Sequence, residues 1–254
     1  MRGLALIEPT LRALRRRLIG LAAFAALFLL TAAATRILVG THEGHLEFDR
    51  LFELGGYPLL SGLLLLGWVI GRFPLIATLV LVAGVFSNDR AAGYARIYGA
   101  RPVSRIDLYG VRLAVLAGIA FLVSAALLPL FDVLLIGHWA GPATFVLVAA
   151  YVLVYGSLTA ALSVWTRADA WIALGLALIS ILWHTLRAAG VLDAAPPGIR
   201  EVITMALPPH GALIAIETAF ANVQPIPWEA CLYVVVYASL LLLTAGWGIV
   251  RREI

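Results

Sequence analysis

Few side chains in this sequence could do chemistry. His42, Glu43, His45 and Glu47 cluster near the start, and His138 and His210 stand further along; brought together, such donors bind zinc or copper. Ser157, Ser163, Ser180 and His184 offer the hydroxyls and imidazole that an intramembrane hydrolase would use as nucleophile and base. Neither set has a diagnostic spacing. The expectation is therefore no metal, no cofactor and no catalytic residue, with the histidines in solvated loops and the hydroxyls serving close helix packing beside Gly156 and Ala160. All 18 cationic side chains are arginine, which excludes Schiff-base chemistry and a phosphate-binding loop ending in Gly-Lys-Ser/Thr. Cys231 is the single cysteine, so an internal disulfide and a cysteine metal cluster are excluded too.

These residues are positioned by a chain made for a bilayer. Of 254 residues 63% are hydrophobic and 13% charged, and the mean hydropathy is +1.00, whereas a soluble domain is about 45–50% apolar and about 25% charged. Apolar runs predict an all-α polytopic membrane protein, a single transmembrane domain over 1–254 with six transmembrane helices. They fall at Leu18–Val39, Leu59–Phe86, Leu108–Phe131, Ala143–Trp165, Ala170–Leu186 and Ala230–Val250. Gly71-Arg72-Phe73-Pro74 interrupts the second run, which reads as one broken or tilted crossing, with a re-entrant hairpin as the alternative. Arg72 is the one arginine placed inside a span. A charge at depth faces a bundle interior or a water-filled path, which makes Arg72 the candidate for a translocation path; if the span is misplaced, it lies at a membrane surface instead.

Arginine placement sets the orientation. With both termini cytoplasmic, 13 of the 18 arginines lie at the inner face: Arg2, Arg12, Arg15, Arg16, Arg17, Arg90, Arg96, Arg101, Arg105, Arg112, Arg167, Arg251 and Arg252. Arg36, Arg50, Arg187 and Arg200 fall outside, together with most carboxylates, Glu217 among them. A cleaved secretory signal is the competing reading of the start, but the first run continues through Val39, long enough to span. Ahead of it, Ile7, Leu11, Leu14 and Leu18 form a helical apolar stripe among arginines, predicting an amphipathic helix over 1–17 on the inner surface against anionic lipid. Phe48, Leu51 and Phe52 before Gly55-Gly56 predict a short surface helix in the first outer loop. Between 188 and 228, Pro196-Pro197 and Pro208-Pro209 bracket one short apolar stretch, and Leu213–Phe220 forms another. Neither can span, and both are apolar enough to dip into the outer leaflet before the last span.

The inner loop over 87–107 contains Asp89-Arg90, then Gly93, and then Pro102-Val103-Ser104-Arg105 just before the third span. This pattern resembles the permease subunits of ABC-2-type transporters, in which an acidic-polar group and a glycine follow the second span and a Pro-hydrophobe-Ser-Arg turn precedes the third. The six spans, the N-terminal surface helix and the broken outer segment extend the resemblance over essentially the whole chain. It departs from the pattern where members often have a Glu near Asp89, a Thr at Tyr94 and a Lys at Arg112. The resemblance implies that the loop is a coupling helix seated on a cytosolic ATP-binding cassette ATPase, through Asp89, Arg90, Gly93, Tyr94, Ile97, Tyr98, Arg101, Pro102, Ser104 and Arg105. It also implies a second permease copy, as a homo- or heterodimer. The residues are compatible: a helix from Ser87 or Asn88 to about Ile97 displays tyrosines among arginines, as a protein contact does, although a positive-inside loop with interfacial tyrosines would look the same.

The expected function is thus the transmembrane subunit of an ABC exporter of the cell inner membrane, not itself an enzyme, with membrane lipid and ATPase subunits as partners and no nucleic acid. The alternative is a non-transporting membrane scaffold, or a metal-delivery accessory coupled to an outer assembly partner.

Overall fold

The computed structural model describes residues 4–39, 41–42, 45–46, 71–91, 104–135, 139, 141–221 and 224–251. Within them the chain is all-α apart from a two-residue antiparallel pair. Helix α1 is Leu4–Val39, α2 Phe73–Val82, α3 Ser87–Ala91, α4 Arg105–Leu135, α5 Ala143–Trp165, α6 Asp169–Ala188, α7 Pro197–Ala206, α8 His210–Ala221 and α9 Trp228–Arg251. Strands β1 (Thr41–His42) and β2 (His45–Leu46) pair Thr41 with Leu46 and His42 with His45.

Six helical stretches are long and apolar enough to cross a bilayer: Leu14–Ile37, Phe73–Ala91, Arg105–Leu134, Ala143–Trp165, Asp169–Ala188 and Trp228–Arg251. This makes the chain a multi-pass membrane protein. The described part of the surface helix expected over 1–17, from Leu4, is helical and continuous with the first crossing as α1. Of the predicted stripe, Leu14 and Leu18 face the bundle, and the side chains of Ile7 and Leu11 lie outside the described ones. The surface helix expected at Phe48–Phe52 also lies outside the described residues.

Helix α5 is the central element. It and the α2–α3 stretch are each 72% buried, against 17–28% for the other four crossings, so α1, α4, α6 and α9 surround them and turn apolar faces outward to lipid. Small residues let α5 be approached closely. A Cβ on Gly156 would lie 3.6 Å from Thr78 of α2, and one on Gly248 of α9 would lie 2.8 Å from Val164.

The second crossing is Phe73–Ala91, interrupted by the turn at 83–86 between α2 and α3. The first arm of the crossing expected over 59–86, residues 59–70 ahead of Gly71-Arg72-Phe73-Pro74, lies outside the described residues. Pro74 stands in the first turn of α2, where its missing N–H costs no hydrogen bond. At the other end Gly84 takes φ +72, a left-handed turn that ends α2, and a side chain there would collide with Asn88. The outer segment is broken too: α7 and α8 are bent by 78° about Leu207–Pro209. Its apolar residues part company. Ile199 and Val202 of α7 are exposed, whereas Leu213 and Ile216 of α8 are buried against Leu75, Tyr151 and Tyr155.

Candidate functional site

Two polar clusters mark the two ends of α2. The first gathers around the turn over 83–86 and α3. Asp89, expected at a partner surface, is buried, and its Oδ2 accepts from Arg112 Nη1 at 2.5 Å. Arg90 likewise turns into the bundle and donates to the Val164 carbonyl at 2.7 Å. Ser163 Oγ accepts from the Phe86 N–H at 2.9 Å, and Asp169 Oδ2, in the first turn of α6, accepts from the Gly84 N–H at 2.7 Å. Arg17 of α1 closes the ring by donating to the Ala83 carbonyl at 2.6 Å and the Val80 carbonyl at 3.1 Å. The backbone groups freed by the break therefore find partners on α1, α5 and α6, as a break at membrane depth requires.

This network is the root of the 92–103 segment. At the far end of that segment Ser104 Oγ accepts from the Asp107 N–H at 3.0 Å, an N-cap that starts α4 at Arg105. The serine of the Pro-Val-Ser-Arg turn thus has a structural role, and Arg105 is half-buried at the bundle's end. Gly93, Tyr94, Ile97, Tyr98, Arg101 and Pro102 lie outside the described residues. Sequence reasoning named Ser163 only among hydroxyls for catalysis or close packing and missed Asp169, whose one signal was an acidic residue opening an apolar run.

The second cluster surrounds Arg72, the N-cap residue of α2. Thr78 faces Gly156, and the α2–α3 stretch reaches Ser163 at Phe86, so α2 runs parallel to α5 and Arg72 stands level with Tyr151. That is close to the midpoint of α5. The Arg72 side chain is 12% exposed. Arg72 Nη1 donates to Glu217 Oε1 of α8 at 3.1 Å. Sequence reading had put Glu217 outside, on the short stretch Leu213–Phe220 dipping into the outer leaflet; α8 brings it to Arg72, because Leu213 and Ile216 of the same helix bury against α5. Its signal was a lone carboxylate inside the apolar stretch Leu213–Phe220.

Tyr151 and Tyr155 of α5, rings stacked at 6.1 Å, lie within electrostatic reach of Arg72. Their hydroxyls and Glu217 Oε2 are buried without a hydrogen-bond partner. Beside them, at the α7–α8 bend, Ser180, Trp183, His184, Pro208 and His210 line a cavity of about 210 Å³. His210 is 2% exposed. Burial, then the Arg72 charge and His184, push its pKa down to about 4, which keeps the imidazole neutral.

Other candidate groups are engaged in packing. Ser157 Oγ donates to the Val154 carbonyl at 3.0 Å and Ser180 Oγ to the Pro208 carbonyl at 2.6 Å, so neither is aimed at His184. His184 and His210 stack edge to face at 6.1 Å. Among the described residues no three His, Cys, Asp or Glu side chains are grouped to hold a metal; His138 is not among them, and His42 and His45 are known there only as backbone partners.

Comparison with family models, with curated proteins and with solved structures finds no match to this chain.

Proposed function

We propose that the chain is the membrane subunit of an ABC transporter of the ABC-2 type, forming the path for an exported cargo while separate cytosolic ATPase chains hydrolyse ATP. Two permease copies enclose that path. The observation that carries the reading is the root of the 92–103 segment. One short stretch, 83–91, is tied by Arg17, Arg112, Val164 and Asp169 to α1, α4, α5 and α6. A force applied to the adjoining loop reaches four helices at once, as transmission from a nucleotide-driven partner to a path inside the bundle requires. The same end carries Arg17, Arg90, Arg105, Arg112 and Arg251, so the positive-inside rule turns it to the cytoplasm, with both termini.

The test is co-purification from the native membrane. A stoichiometric ATPase is expected with the chain, and Asp at Tyr94, Ile97 and Tyr98 together should abolish its recovery while membrane insertion persists. Recovery of the chain alone, or assembly unchanged by the triple substitution, overturns the reading. Arg72→Leu should leave the complex assembled and impair cargo movement or its coupling to ATP hydrolysis.

A further inference from the structure

The Arg72–Glu217 pair joins α2 to α8. Arg72 is the N-cap of α2, which with α5 forms the buried centre, and its charge reaches Tyr151 and Tyr155 of α5. Glu217 stands on α8, a helix of 12 residues packed on the bundle through Leu213 and Ile216 and flanked by two changes of direction. On one side is the 78° bend at Leu207–Pro209, and on the other the chain returns to α9 through Pro225 and Pro227. The cavity at the bend touches the first turn of α8 and reaches His210, on which the Arg72 charge acts.

An arginine at this depth cannot shed its charge and must be accompanied at every stage of a movement. The neighbouring polar atoms are idle in the present arrangement: Tyr151 and Tyr155 hydroxyls and Glu217 Oε2 are buried and unpartnered. A core with a single arrangement pairs such atoms, and idle ones call for an explanation. A site with two arrangements uses one set at a time.

We propose that the Arg72–Glu217 ion pair is the outer gate of the path, and that the hydroxyls of Tyr151 and Tyr155 receive the guanidinium when α8 swings away. What the gate serves rests on the transporter reading; that it closes a polar crevice does not. Closed, Glu217 holds α8 to the start of α2 through Arg72. Open, Glu217 turns to the water of the cavity, and Arg72 stays hydrogen-bonded to the tyrosines without crossing apolar surface. Glu217 and the two tyrosines are positioning residues acting through Arg72.

The experiment uses the full chain in vesicles of phosphatidylethanolamine and phosphatidylglycerol, in a Cys231→Ser background. Thr78→Cys is the reporter, a near-isosteric change at a fully buried position on the inner side of Arg72. A membrane-impermeant maleimide is added from the side of the α7–α8 segment. We expect slow labelling in the parent, at least tenfold faster labelling with Glu217→Gln, and protection regained in the Arg72→Glu/Glu217→Arg exchange. A disulfide between cysteines at 72 and 217 should also block labelling until it is reduced. Tyr151→Phe/Tyr155→Phe in the Glu217→Gln chain should slow labelling again. Equal labelling of parent and Glu217→Gln, with the reduced and oxidised double-cysteine chains also alike, overturns the gate. The transporter reading is judged separately, by whether an ATPase co-purifies and its nucleotide state alters the parent's labelling. An absent ATPase defeats that reading and leaves the partner-free comparison to decide the gate.

Discussion

Asp89 and Arg112 are a pair in which each residue makes the other tolerable. Asp89 keeps 9% of its side-chain surface and Arg112 24%, so deleting one charge strands the other in a poorly hydrated place. Asp89→Asn should lower stability by about 1–3 kcal/mol, less than for a fully enclosed pair because Arg112 retains some access to solvent. The shift in thermal midpoint in detergent measures it, and adding Arg112→Gln should cost little more. His210 makes a second residue-level prediction. Its pKa is about 4 when folded against an ordinary 6.5, so the unfolded chain binds a proton between those values that the folded chain refuses. The stabilisation is complete above about pH 6.5 and is lost as pH falls toward 4, by up to about 3 kcal/mol. His210→Gln, neutral throughout, should lose less melting temperature than the parent between pH 7 and pH 4. At this scale the sequence was legible where a residue stood alone in an unsuitable place. Arg72 was recognisable as a charge within an apolar run, but Glu217 was not recognisable as its partner. The two are 145 positions apart, and only the inward course of α8 brings them together. Asp89 and Arg90 suggested an outward contact for the opposite reason: nothing local reveals that Arg112 and the Val164 carbonyl wait inside.

Helices are held to one another here by the absence of side chains as much as by their presence. Gly246 and Gly248 are two residues apart on α9 but face different surroundings. A Cβ on Gly248 would come within 2.8 Å of Val164 and 3.3 Å of Trp165, whereas one on Gly246 would meet nothing within 4 Å. The neighbour at Gly248 is a β-branched side chain with little rotamer freedom, so α9 must retreat from α5. Gly248→Ala should destabilise the bundle by about 1–3 kcal/mol despite its better helix propensity. Gly246→Ala should be neutral or gain up to about 1 kcal/mol. Paired thermal melts decide this, and equal effects would mean that α9 does not touch α5 at Gly248. The elements themselves were largely readable, since apolar runs of spanning length leave the backbone no other satisfied form than helix. Their ends and joints were less so. The surface helix expected over 1–17 is continuous with the first crossing in α1, because an amphipathic pattern reports a helical face and not where one helix ends.

For the molecule as a whole, the alternation of six crossings gathers Arg17, Arg90, Arg112, Asp169 and Arg251 at one end and the α7–α8 segment at the other. Single cysteines at Trp139 or Asp193 should therefore react with an impermeant maleimide in intact cells, and those at Arg105 or Arg251 only after permeabilisation. Reversal of that pattern would invert the assignment of the cytoplasmic side. The arrangement also leaves very little insulation. Helix α2 has 10 residues and is about 15 Å long, and it separates the Arg72–Glu217 pair from the charged turn around Gly84. That is half the roughly 30 Å thickness of a bilayer's hydrocarbon. With the proposed gate open, water at the pair would shorten the insulated part of this crossing, and the field across the rest would rise. Each elementary charge carried through the full potential exchanges about 2.3 kcal/mol per 100 mV. The broken second crossing is thus a place where voltage acts on the protein, and the labelling rate at position 78 should shift when a potassium diffusion potential is imposed on the vesicles.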